Sequence, residues 1–161
     1  MPDLVWEEVR NFFDPDLMGS LPDVRVEDAS GQDWQAVFDL VRSQGWRWEY
    51  SEGDAVLPLP PAADALARSA DAETPTLRVW PVPEVMVIFW LYAAVEIDFD
   101  INLRELQGQE RLDLLCGFLA LIGRRLGKPV LMSPESDYHH PVLGYDVAAD
   151  RVVLLADPRL P

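Results

Sequence analysis

The chain has 161 residues, the usual length of one domain, and carries 28 Asp and Glu against 13 Lys and Arg, a net charge of -15. Its 49% hydrophobic content, with six Trp, six Phe and four Tyr, suffices for a packed core and excludes disorder, which needs high charge together with low hydrophobicity. Such acidity excludes nucleic acid and anionic membranes as direct partners and favours a basic protein or a metal cation.

The first residues, Met1 to Glu8, show neither the basic start nor the apolar stretch of a signal peptide. Trp6, Val9 and Phe13 recur at helical spacing, which predicts a short amphipathic helix over 3–13. Residues 13–20, with Pro15 and Gly19, read as a loop, and 24–28 as a short strand or extended connection. Ser30, with Asp33 three residues later, forms the pattern of a capping box. Trp34, Val37, Phe38 and Val41 supply the buried stripe of the helix that follows, and Gly45 its stop.

Trp46, Trp48 and Tyr50 alternate with Arg47 and Glu49 as in a half-buried strand, closed by a turn over 51–54. The prolines of 57–61 bar an interior strand there. A short alanine-rich helix fits 61–69, with Pro61 suited to its first turn, and 70–75 is the least ordered stretch. Leu77, Val79 and Trp80 begin the central part of the sheet, with an interruption at Pro81, Val82 and Pro83. The apolar run over 85–95 is too short to span a bilayer and suits a buried central strand. Residues 85–92 and 95–103 then make an antiparallel hairpin turning near Ala93 and Ala94.

The clearest helix starts at Gly108 or Gln109 and ends at Leu126, with Leu112, Leu115, Cys116, Leu119 and Ile122 on its buried side. Acidic residues sit near its start and Arg124, Arg125 and Lys128 near its end, as the helix dipole prefers. Strands follow at 130–132, 142–147 and 151–156, the last two joined through Ala148, Ala149 and Asp150. The expected architecture is one α+β domain over residues 1–161. It has a mostly antiparallel sheet of about five to seven strands, with two to four helices packed mainly on one face.

Cys116 is the only cysteine, so neither an intramolecular disulfide nor a cysteine-based zinc site can form, and its apolar neighbours indicate a buried inert thiol. No Gly-x-Ser-x-Gly elbow and no glycine-rich phosphate cradle occurs, and Lys128 is the single lysine. No cofactor is expected, and a cytoplasmic location is.

Three places carry candidate chemistry. In 95–101 three carboxylates alternate with four apolar residues, so Glu96, Asp98 and Asp100 share one face of a strand. That face stays in water and discourages edge aggregation, or pairs with basic groups of a partner, or holds Mg²⁺ or Ca²⁺. The polar loop carrying Glu135, Asp137, His139 and His140 holds both histidines and is a second, weaker metal candidate, although no His-Glu-x-x-His spacing is present. Third, Phe12 or Phe13 beside Asp14 and Asp16 offers an apolar anchor within an acidic surface. Trp46, Trp48, Trp80 and Trp90 either line a ligand pocket or belong to the core.

The function expected from charge and elimination is a non-catalytic acidic binding protein. Its sharpest form is an immunity or antitoxin-type protein neutralising a basic partner protein through Glu96, Asp98, Asp100, Phe12, Asp14 and Asp16. The alternatives are a metal-dependent hydrolase or nuclease using the strand carboxylates, and a small-molecule-binding regulatory domain.

Overall fold

The structure is a computed structural model that describes residues 2–68, 71–135 and 137–156. Among them, nine antiparallel strands form a single sheet, accompanied by five α-helices. The α+β class is as expected, but nine strands exceed the five to seven read from the sequence, and five helices exceed the two to four.

The chain opens with α1 (Trp6–Val9), which tightens into a 3₁₀ turn over Arg10–Phe13 in place of the single helix expected there. The stretch read as a loop contains α2 (Pro15–Met18). Asp14 caps it by accepting from the Asp16 amide at 2.9 Å, and Pro15 fills the first turn, where no amide donor is needed. β1 (Asp23–Val26) follows, and then α3 (Gly31–Ser43). The capping box of α3 forms in both directions, Ser30 Oγ accepting from the Asp33 amide at 3.2 Å and Asp33 accepting from the Ser30 amide at 3.1 Å.

β2 (Arg47–Glu52) and β3 (Ala55–Leu57) make a hairpin, α4 (Ala62–Leu66) follows, and β4 (Thr76–Val82) leads into β5 (Val85–Ala93) and β6 (Glu96–Asp100). β4 runs through Pro81, against the interruption expected at 81–83. The pairing with β5 shifts between Val79 and Val82, so the residue lacking an amide hydrogen falls in an irregular stretch of the ladder. Of the stretch 70–75, residue 70 lies outside the described residues, and no helix or strand covers 71–75. After a 3₁₀ turn, α5 (Gln109–Leu126) ends at Gly127, whose φ of 67° is the left-handed cap that glycine permits. β7 (Val130–Ser133), β8 (Leu143–Asp146) and β9 (Arg151–Leu154) complete the sheet.

The strand order is β3-β2-β4-β5-β6-β1-β7-β8-β9. β1 therefore sits inside the sheet, between β6 and β7, and joins the central meander to the C-terminal strands. The helices α3, α4 and α5 cover one face. Phe89 of β5, Phe99 of β6 and Phe118 of α5 meet there with ring centroids 4.8 to 6.4 Å apart, and Trp34 of α3 packs edge-on against Phe89. Burial of each such ring contributes about 2–3 kcal/mol. Gly123 lets α5 lie close to the sheet, because a Cβ there would stand 2.1 Å from the Tyr145 ring of β8. No helix is long and apolar enough to cross a membrane among the described residues.

Candidate functional site

Strict alternation along β5 and β6 separates two chemistries. Val85, Val87, Phe89 and Leu91 enter the core with Ile97 and Phe99, while Met86, Ile88, Trp90 and Tyr92 share the opposite, helix-free face with Glu96, Asp98 and Asp100. β6 is the fifth of the nine strands. Its carboxylates therefore cannot serve as protection for a sheet edge, because both sides of β6 are already paired.

The register brings further charge to this place. Asp23 of β1 lies directly opposite Asp100, and Arg25 directly opposite Asp98. Like charges facing across a ladder oppose folding, and the protonation of the pair responds. Desolvation, followed by the neighbouring Asp100 and its hydrogen bond, raises the Asp23 carboxyl to about 6. Asp98 is likewise raised to about 6, first by desolvation and then by Glu96. Partial burial raises Asp100 as well, opposed by hydrogen bonds from Trp90 and Asp23, and the Trp90 indole N–H donates to its carboxylate at 2.9 Å.

The segment after β7 crosses part of this face. The Tyr138 hydroxyl donates to Glu96 and, at 3.0 Å, to Asp98. Desolvation and these two carboxylates raise the Tyr138 phenol far above its ordinary value, so it remains a donor. Arg25 is buried, with its guanidinium 4.3 Å from the centre of the Tyr138 ring, and it donates to the Tyr138 carbonyl and to Glu27 at 3.2 Å. Among the described residues, the network thus contains a single cation, Arg25, with Asp23, Glu96, Asp98 and Asp100.

Of the other candidates, Glu135 stands near enough to Asp23 and Asp100 to add to the desolvation that raises both carboxyls, Asp137 and His140 pair with each other, and Phe12, Asp14 and Asp16 lie on the N-terminal segment around α2. Glu135 is a fastener: its amide donates to the Met18 carbonyl at 3.0 Å, and its carboxylate accepts from the Leu21 amide at 3.3 Å. Its side chain lies against Gly19, where φ of 79° and the close contact leave no room for a Cβ. Asp137 pairs with His140, and the His139 ring meets the Tyr138 ring edge-on. Among the described residues no group of three or more His, Cys, Asp or Glu side chains is placed to hold a metal ion, in this loop or on β6. Phe12 is not the surface anchor read from the sequence. The 3₁₀ turn buries both Phe12 and Phe13, and Gln107 holds the turn by donating to the Phe13 carbonyl at 2.8 Å. Asp14 is engaged as the α2 cap, and Asp16 is exposed beside it.

The tryptophans divide as well. Trp46 packs on Phe118 of α5, and Trp80 lies under Arg47 at 4.4 Å. These two line a cleft of about 330 Å³ that neither Trp48 nor Trp90 reaches. Cys116 is buried, and burial followed by Asp3 and Asp113 pushes its thiol up to about 12, which leaves it protonated and inert.

Sequence reasoning missed Asp23, Arg25, Tyr92 and Tyr138. Asp23-Val24-Arg25-Val26 does alternate charged and apolar residues, a signal for two polar side chains on one face. Nothing in that pattern identifies β6 as the neighbouring strand. Compared with known proteins, the chain matches no family model, no curated protein and no solved structure.

Proposed function

We propose that this protein is a non-catalytic binding protein whose acidic, helix-free sheet face docks a basic partner protein, in the manner of an immunity or antitoxin-type neutraliser. The observation that carries this reading is the placement of Asp23 against Asp100 in the interior of the sheet, with Glu96 and Asp98 beside them. Folding alone favours an apolar or charge-balanced row at such a position. A cationic partner would relieve the repulsion on binding, and the surrounding negative potential would speed its approach.

The test is affinity capture with the wild-type chain beside a Glu96→Gln/Asp98→Asn/Asp100→Asn variant. A basic protein is expected to be retained by the first and lost by the second. Its association rate should fall on the order of tenfold or more from low to high salt. A natural partner whose association ignores both salt and the triple change contradicts the reading.

A further inference from the structure

The helix-free face carries three aromatic platforms, and two already hold an arginine of this chain. Arg47 lies over Trp80 at 4.4 Å, and Arg25 lies over Tyr138 at 4.3 Å. The third platform is Trp90 with Tyr92, stacked nearly parallel at 6° with ring centres 5.8 Å apart. No cation of this chain lies over either of these rings among the described residues. Tyr92 is 62% exposed, a large aromatic surface left to solvent beside Asp98 and Asp100.

Carboxylates border this stack. Asp100 accepts the Trp90 indole N–H, and Asp98 stands directly across from Trp90 in the ladder. Partial desolvation, and then Asp100, Asp98 and Asp23, raise the Tyr92 phenol above its ordinary value, so the three carboxylates and the phenol ring share one neighbourhood. A flat cation with in-plane donors matches such a place: its face lies on a ring while its N–H groups reach carboxylate oxygens. A guanidinium has that shape and an ammonium does not.

We propose that the Trp90–Tyr92 stack, bordered by Asp98 and Asp100, is the seat of an arginine side chain of the basic partner. The proposal rests on the docking face argued above and adds the chemistry of its anchor. Trp80 and Tyr138 show the same recognition satisfied within the chain, and Trp90 with Tyr92 present it outward.

Two synthetic probes separate the claims. One is a short Gly-Ser peptide bearing three arginines, and the other is its lysine counterpart. Each is titrated at low salt into the full chain, wild type and Tyr92→Ala, with the Trp90 indole N–H followed by NMR after assignment through Trp90→Phe. The arginine peptide is expected to bind about threefold tighter or better, the advantage of an exposed cation–aromatic contact. Tyr92→Ala should reduce that affinity to the lysine value, and Tyr92→Phe, which keeps the ring, should retain it. Equal affinities that Tyr92→Ala leaves unchanged overturn the arginine seat while the acidic docking face stands. Failure of both peptides to bind overturns the docking face and the seat together. Tyr92 is exposed, so its replacement leaves the core intact, and an unchanged thermal transition confirms this.

Discussion

On the helix-covered side of the sheet, Phe89 and Phe99 face each other across β5 and β6 and close against Phe118 within 6.4 Å. One residue further along each strand, on the other side, Trp90 faces Asp98 and Asp23 faces Asp100. β5 and β6, with the adjoining β1, thus hold the rings most deeply involved in the core and the charges least suited to their position. The covered face is organised for stability. The helix-free face keeps unbalanced charge in mid-sheet, where a row of threonine or valine would hold the fold better. Core packing and unbalanced charge therefore lie on opposite sides of one ladder.

The sharpest way to break this contrast is to remove a ring from the covered face. Phe99→Ala should destabilise by about 3–5 kcal/mol in chemical denaturation, the sum of lost burial and the cavity left among Phe89 and Phe118. A loss under about 1 kcal/mol would mean that this side is not the core. Arg25→Ala comes next. It removes the cation opposite Asp98 and the donor to the Tyr138 carbonyl, and should cost about 2–3 kcal/mol while loosening the segment that crosses the face. Gly123→Ala drives a methyl group into the Tyr145 ring and should cost about 1–3 kcal/mol in the same assay.

The sequence shows the covered face far better than the helix-free one. The bounds of α3 and α5 follow from local signals, the Ser30–Asp33 capping box with Gly45 and the stop at Gly127, because caps and apolar stripes act within a few residues. The hairpin of β5 and β6, and the shared face of Glu96, Asp98 and Asp100, follow from period-two alternation. The partners of those carboxylates do not. Asp23 comes to Asp100 through a pairing across more than seventy positions of chain, and Tyr138 arrives from the far side of α5. Such contacts are fixed by strand order and register, and no short window records them. Phe12 illustrates the reverse error: a double aromatic beside acids suggested exposure, yet the 3₁₀ turn buries both rings. The strand count fell short for a related reason. β3 is an exposed edge of three apolar residues that borrows its order from β2, with no alternation of its own to announce it.

The smallest expected effect is the most direct test of the central claim, that the helix-free face holds charge against the interest of the fold. Asp23 has a folded pKa of about 6, above its unfolded value of 3.8. The folded state therefore holds this proton more tightly than the unfolded chain does. The stabilisation this provides is complete below about pH 3.8 and is lost as pH rises through about 6. Asp98, also raised to about 6, acts in the same direction. The decisive measurement is the unfolding free energy of Asp23→Asn beside wild type at pH 7.5 and at pH 4. Asp23→Asn should gain about 1 kcal/mol at pH 7.5, the part of the two-unit shift that survives solvent screening, and differ from wild type by near zero at pH 4. A variant less stable than wild type at pH 7.5 would contradict the central claim, because the Asp23 carboxylate would then support the fold it is said to oppose.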